Sequence, residues 1–205
     1  MATRYAKPSG RPAPPSLVKE LGHAFREFAR SPHSVGSAFP ASHWLVETLL
    51  APVDWSQIRT VIELGPGTGR FTRALLCRLP PDARLVAIDN SKGFIHSLVD
   101  NVADDRLVPA HGDAQDLEAI AHRLGFDRVD AVISGIPFST LPHAGGRKII
   151  NSIRTMLAPD GQLLAYQMRR ALEPLMAESF NCIHSAMEWR SLPPCHLYWA
   201  SGPKA

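Results

Sequence analysis

From residue 60 onward, short apolar runs bounded by glycine, proline or acidic positions alternate with stretches of helical periodicity. The runs predict strands near 60–65, 84–89, 106–111, 128–134 and 161–168. The stretches between them predict helices near 70–79, 91–101, 115–124 and 144–157. Regular alternation of strand and helix implies parallel pairing, with helices on both faces of one sheet. Past the fifth strand, Ala171–Ser179 reads as a helix, and 183–191 and 195–201 read as two strands joined through Pro193-Pro194. That hairpin would add an antiparallel edge strand.

Upstream the pattern differs. Residues 1–15 carry Pro8, Pro12, Pro14 and Pro15 with Gly10 and almost no large apolar groups, which predicts a disordered leader. From Ser16 to Arg30, Leu17, Leu21, Ala24, Phe25 and Phe28 fall on one face of a helix, with Lys19, Arg26 and Arg30 off it. Ser31-Pro32 supplies a stop. A second helix is expected over about 41–50, leading to Trp55 and the first strand. The expected organisation is a leader at 1–15, N-terminal helices at 16–50 and one α/β domain at 51–205.

Composition narrows the class. A chain of 205 residues, 45% hydrophobic and 20% charged, fits one well-buried domain and leaves little for a second. No apolar run is long enough to span a bilayer, and no signal-peptide pattern opens the chain. Cys77, Cys182 and Cys195 have neither metal spacing nor an even count, and are expected as reduced thiols of a cytoplasmic protein. The net charge of +3 is unevenly spread: Arg4, Lys7, Arg11, Lys19, Arg26 and Arg30 oppose only Glu20 and Glu27 in the first thirty residues. The body is therefore near neutral. This argues against a broad basic face for nucleic acid and fits a basic segment that addresses an anionic surface.

The candidate chemistry sits at the ends of the first three strands. Val61-Ile62-Glu63-Leu64 runs into Gly65-Pro66-Gly67-Thr68-Gly69, Asp89 closes the second run, and Asp113 closes the third. Glycines at 65, 67 and 69 let backbone amides approach a ligand without a Cβ in the way. Asp89 is placed to accept from both ribose hydroxyls, with Asn90 beside it. Asp113 is placed to accept from an adenine amino group, with the Ala114 amide facing a ring nitrogen. Three polar strand ends at one sheet edge describe a nucleoside-binding crevice. Dinucleotide sites use G-x-G-x-x-G at this point. Here the string is G-x-G-x-G with Glu63 two residues upstream, which favours S-adenosylmethionine.

Glu63-Leu64-Gly65-Pro66-Gly67-Thr68-Gly69 resembles the first motif of class I S-adenosylmethionine-dependent methyltransferases, and Asp89 and Gly112-Asp113-Ala114 resemble their second and third. The resemblance implies a Rossmann-like, seven-stranded sheet, mostly parallel with an antiparallel C-terminal edge strand. It implies S-adenosylmethionine as methyl donor, S-adenosylhomocysteine as product, and no metal. Three further stretches resemble the bacterial phospholipid N-methyltransferases, which convert phosphatidylethanolamine to phosphatidylcholine. They are Phe28 to Ser42 with its Val35-Gly36-Ser37-Ala38-Phe39-Pro40 core, Ser134-Gly135-Ile136-Pro137-Phe138, and Trp189-Arg190-Ser191-Leu192-Pro193-Pro194.

The expected activity is methyl transfer to the amine of phosphatidylethanolamine and its methylated derivatives, with an anionic membrane surface as partner. The expected location is cytoplasmic, at the inner face of the cytoplasmic membrane. Another aminolipid or a soluble amine fits the same pocket, and a cofactor-binding protein without methyl transfer is a third reading. The ribosomal RNA adenine dimethyltransferases are the nearest competing family, with a fourth motif of N-L-P-Y. Here Gly135 stands for that asparagine, whose amide would meet a flipped adenine, and Phe138 for the tyrosine.

The resemblance also nominates residues. Ser37 lies where related enzymes place a loop over the methionine carboxylate. The Ser134 carbonyl and Gly135 backbone, the Tyr166 hydroxyl and His143 are candidates to meet the acceptor amine or its proton, and Ser134 is also expected beside the cofactor. Arg169 and Arg170 are candidates for the lipid phosphate. Phe25, Arg26, Phe28 and Arg30 form the expected membrane-facing helix, which is equally readable as a lid over the cofactor.

Overall fold

A computed structural model describes residues 41–204. The expected leader, the amphipathic helix with Phe25, Arg26, Phe28 and Arg30, and Ser37 lie outside the described residues.

Seven strands form one sheet in the order β3-β2-β1-β4-β5-β7-β6. They are β1 (Thr60–Leu64), β2 (Arg84–Asp89), β3 (Leu107–His111), β4 (Val129–Ser134), β5 (Leu157–Gln167), β6 (Phe180–Glu188) and β7 (Cys195–Pro203). The first five pair in parallel, and β7 runs antiparallel to both β5 and β6. The antiparallel strand is thus one place in from the edge, and β6 is the edge. The interspersed helices are α1 (His43–Leu50), α2 (Arg70–Leu76), α3 (Lys92–Asn101), α4 (Leu117–Arg123), α5 (His143–Met156) and α6 (Glu173–Ser179).

Strand order reverses at β1. The chain winds outward through β2 and β3, then returns to build β4 and β5 on the other side. Such a reversal splays the following loops apart and opens a crevice at the carboxyl ends of the strands.

Two cores cover the sheet. One joins Ile62, Leu64, Val132 and Leu163 to Leu117 of α4, Ile149 and Ile153 of α5, and Met176 of α6. The other joins Val61, Leu85, Ile133 and Leu164 to Leu45 and Leu49 of α1 and to Phe71 and Leu75 of α2. Ser42 starts α1 by accepting the Leu45 amide at 3.1 Å. The helix is then fastened to distant parts of the chain. The Trp199 indole donates to the Leu49 carbonyl at 2.9 Å, and Thr48 donates to Glu188 at 2.6 Å. α1, grouped on sequence with the N-terminal segment, thus shares the core of the sheet. Truncating fully buried Leu49 to Ala would cost about 2–5 kcal/mol on general grounds.

The structure moves two expected boundaries. β5 begins at Leu157, four residues before the sequence pattern placed it. Leu157 pairs with Val129 and Gln162 with Ala131, so the chain between bulges out and rejoins. Its Pro159-Asp160-Gly161 has the composition of a turn, which masks the strand before it. β6 begins at Phe180, paired with Pro203, and ends at Glu188, leaving Trp189 and Arg190 in the turn.

Candidate active site

A cavity of about 440 Å³ opens at the carboxyl ends of β1, β2, β3, β4 and β5. Its walls divide by chemistry, and each half is built from different local devices.

One half is backbone and carboxylate. Gly65, Gly67 and Gly69 all have positive φ, at 75°, 52° and 77°. Gly65 and Gly67 line the cavity and Gly69 stands just behind them, where its left-handed turn calls for glycine and a Cβ would lie 2.7 Å from the tip of the Leu98 side chain of α3. The loop is held from both ends. The Gly65 amide donates to the Ile88 carbonyl at 2.9 Å, and Arg73 donates to the Thr68 carbonyl at 2.9 Å.

Asp89 lies almost fully buried at the end of β2. Its carboxylate accepts the Ser91 amide at 2.8 Å and the Gly67 amide at 3.3 Å. The carboxylate therefore braces the glycine turn and also lines the cavity. Asn90, Asp113 and Ala114 line the same half. Asp113 accepts the Gln115 amide at 2.8 Å, which turns the chain after β3 into a short 3-10 helix.

Glu63 is elsewhere than the sequence suggested. It is buried beneath the glycine turn, outside the cavity lining, and accepts the Thr72 hydroxyl of α2 at 2.7 Å. Burial pushes its carboxyl up to about 7, outweighing the hydrogen bonds from Thr72 and the charge of nearby Arg73, with Asp89 adding to the rise. It supports the turn from below.

The other half is apolar. Ile136 and Pro137 after β4, Met168 after β5, and Leu192 and Pro193 in the β6–β7 turn face the cavity. Tyr166 lines this half as well, its ring stacked on Phe71 with centroids 4.9 Å apart and planes within 16°. Burial holds the phenol far above its ordinary pKa, and Glu63 pushes it the same way, so it remains protonated. Arg169 lines the cavity, whereas Arg170 pairs with Glu173 at 3.6 Å and lies outside the lining.

Two further sequence candidates are absent from the cavity lining. Ser134, nominated for its carbonyl, is fully buried, and its hydroxyl has no hydrogen-bond partner. By strand alternation its side chain lies on the face of Val132, opposite Ile133 and the Tyr166 side. His143 opens α5 on the protein surface and does not line the cavity. Neither side chain shares the cavity with Tyr166.

Sequence reasoning also passed over two residues. Gln167 is buried, donates to the Ile136 carbonyl at 2.6 Å and accepts the Phe138 amide at 3.1 Å. Its side chain thus clamps the loop after β4 onto the end of β5. A polar residue closing an apolar strand was the available signal. Arg70 lines the cavity and donates to the Ala41 carbonyl at 3.1 Å, tying α2 to the segment before α1.

The β6–β7 turn has its own anchor. Glu188 accepts from Arg190 at 2.7 Å and from Thr48, which together hold its carboxylate down at about 2. The Arg190 guanidinium stacks over the Trp44 ring at 4.5 Å. Among the described residues, no cluster of histidine, cysteine or acidic side chains forms a metal site, and no helix is long and apolar enough to cross a membrane.

Comparisons with known proteins agree with this geometry. Residues 61–161 match the family described as methyltransferase domain. The chain is 28% identical over 180 residues to an ornithine lipid N-methyltransferase of Singulisphaera acidiphila, covering 87% of this chain and 94% of that protein. It is 34% identical over 110 residues to ribosomal RNA small subunit methyltransferase A of Caulobacter vibrioides, but spans only 39% of that protein. Among solved structures, the N-methyltransferase NodS from Bradyrhizobium japonicum, in complex with S-adenosylhomocysteine, superposes with a TM-score of 0.63 at 18% identity, covering 92% of this chain and 97% of that one. By domain match, by fold and by the motifs that line its cavity, the chain belongs to the class I S-adenosylmethionine-dependent methyltransferases.

Proposed function

We propose that this enzyme methylates the amine of an aminolipid headgroup, taking phosphatidylethanolamine and its methylated derivatives towards phosphatidylcholine. The observation that carries the reading is the match, over nearly its whole length, to an enzyme acting on an amine-bearing lipid. That relative is named for ornithine lipid, which supplies the second reading of the acceptor.

The residues present suit the donor. The cavity volume lies in the range of small-molecule sites. A Cβ at Gly67 would meet nothing within 4 Å, so the turn leaves open space, and Asp89 and Asp113 offer carboxylate acceptors along one edge. Held there by the glycine turn, Asp89 and Asp113, the donor would supply an electrophilic methyl on sulfonium, which a neutral amine nitrogen would take with its lone pair as the carbon–sulfur bond electrons return to sulfur, with one proton lost from nitrogen overall.

What the chain must do is orient and desolvate. Ile136, Pro137 and Leu192 line the acceptor half with apolar surface, which disfavours an ammonium and lowers the amine's pKa. Tyr166, held protonated, serves as a hydrogen-bond partner and not as a base, so the proton leaves to water through the open end. Arg169 at the same end suits the anionic group that accompanies the amine in such headgroups. Phe25, Arg26, Phe28 and Arg30 are proposed to meet an anionic membrane surface, with the enzyme peripheral to the cytoplasmic face.

The test is transfer of radiolabelled methyl from S-adenosylmethionine into organic-extractable lipid. The vesicles contain phosphatidylethanolamine or ornithine lipid, each mixed with an anionic lipid. Label in mono- and dimethylated phosphatidylethanolamine is the expected result. Label only in ornithine lipid would move the substrate to the second reading. No label in either, with S-adenosylhomocysteine binding intact, would overturn the lipid reading.

A further inference from the structure

Gly135 is the first residue past β4, its amide carrying the ladder one step further by donating to the Leu64 carbonyl at 2.9 Å. Its backbone is not left-handed, so conformation alone does not require glycine. Space does. A Cβ at 135 would stand 2.4 Å from the Tyr166 hydroxyl oxygen and 2.9 Å from the ring carbon bearing it, with the Gly65 carbonyl oxygen 3.2 Å away on the other side. The Tyr166 ring cannot simply swing off, because it is stacked on Phe71 and flanked by the sheet.

We propose that Gly135 and Tyr166 form an interlock in which the tyrosine hydroxyl replaces a side chain at 135, and that this selects an aliphatic amine as acceptor and rejects a planar ring amine. The inference rests on the N-methyltransferase reading and deepens it by naming what the acceptor end recognises. A side-chain amide at 135 would offer a donor and an acceptor together, matched to the edge of a base. The interlock leaves no room for one. In its place stand a phenol oxygen and a backbone carbonyl oxygen, both able to accept from an N–H, beside the apolar Ile136 and Pro137. A neutral tetrahedral amine, whose two hydrogens meet these oxygens while its lone pair stays free for the methyl, satisfies such a pair. A ring amine, flat and needing partners in its own plane, does not. Gln167 keeps the arrangement in register, since its amide fixes residues 136–138 against the strand that carries Tyr166.

The test uses Tyr166→Phe, Gly135→Ala and the double variant, with three acceptors: dihexanoyl phosphatidylethanolamine, ethanolamine and an adenine-containing RNA hairpin. Tyr166→Phe retains the stack on Phe71. It is expected to keep S-adenosylhomocysteine affinity within about twofold by calorimetry while raising KM for the amine ~10- to 100-fold, the worth of one hydrogen bond to a charged or charging group. Unchanged amine kinetics in Tyr166→Phe would overturn the proposal.

The interlock has a readout that needs no turnover. Gly135→Ala should lower the thermal unfolding midpoint less when Tyr166 is already Phe than when it is Tyr, because the clashing oxygen is gone. Additive shifts would overturn the interlock. Wild-type transfer to ethanolamine but to no lipid would sink the lipid reading and leave this inference standing, whereas wild-type transfer to the RNA adenine would refute the inference itself.

Discussion

The two halves of the cavity solve opposite problems. The proposed donor half presents backbone amides and carboxylates at the ends of β1, β2 and β3, all contributed by short local motifs. The acceptor half is apolar and is assembled from three separate places: the loop after β4, the end of β5 and the β6–β7 turn. Each half rests on a buried carboxylate, and the two are in opposite states. Glu63 under the glycine turn is pushed up to about 7 by burial, against its bonds to Thr72 and the charge of nearby Arg73, whereas Glu188 behind the β6–β7 turn is gripped by Arg190 and Thr48 and held at about 2. Burial dominates at the first carboxylate, and hydrogen bonds from a guanidinium and a hydroxyl dominate at the second.

If the halves are independent, variants in one should leave the other intact. The largest expected effect is at Asp89. Asp89→Ala removes the acceptor proposed for the ribose and also the brace on the Gly67 amide, so S-adenosylhomocysteine affinity should fall ~100-fold or more, from two charged hydrogen bonds at roughly 1.5–3 kcal/mol each. Asp89→Asn, which keeps the shape, should recover part of that loss. Calorimetry that finds either variant binding normally would remove Asp89 from the donor half.

Next comes Glu63, read through pH. Its carboxyl is raised from 4.5 to about 7 in the folded chain. The folded state therefore holds its proton more tightly than the unfolded state does. This group's contribution is most favourable below about 4.5, erodes as pH rises towards 7, and is fully lost above that. A shift of this size is worth on the order of 3 kcal/mol. Glu63→Gln cannot ionise and still faces Thr72, so its stability advantage over wild type should grow between pH 4.5 and 7 and then level off. A difference that stays flat across that window in urea unfolding would show that Glu63 titrates normally.

Gln167 probes the acceptor half alone. Gln167→Leu strands the Phe138 amide and the Ile136 carbonyl. Unpaired buried groups of this kind cost about 1–3 kcal/mol each. Stability should drop and the acceptor KM should rise, while S-adenosylhomocysteine affinity holds within about twofold. A matching loss of donor affinity would show that the two halves move together.

The same contrast explains what the sequence disclosed. The donor half was legible because Gly65 to Gly69, Asp89 and Asp113 each sit at the end of an apolar run, so strand periodicity alone aligns them on one edge. All five parallel strands were readable for the same reason. The acceptor half was not, because its parts meet only through tertiary contact. Tyr166 could be named as a strand-end aromatic, but nothing local says that its hydroxyl fills the space beside Gly135. Gln167 was passed over because a single polar residue closing an apolar strand carries no spacing signal. Glu63 was misplaced by its neighbourhood: alternation sends it under the turn, not into the cavity, while its motif makes it look like a ligand. His143 looked available because it precedes a helix, and the helix carries it to the surface.

The smallest effect sharpens the boundary between the halves. Ser134 ends β4 one residue before the interlock, with its hydroxyl fully buried and unpartnered. Ser134→Ala removes an unsatisfied polar atom and breaks no hydrogen bond. Stability should therefore be unchanged or higher, within about 1 kcal/mol. Methyl transfer should also be unchanged, since the backbone carbonyl at this position is retained and the side chain lies on the far face of the sheet from Tyr166. Lost transfer with intact S-adenosylhomocysteine binding would mean that the hydroxyl finds its partner only once the acceptor is bound. In that case the acceptor half would extend through the sheet into the core beneath α5, and the division drawn at Gly135 would be in the wrong place.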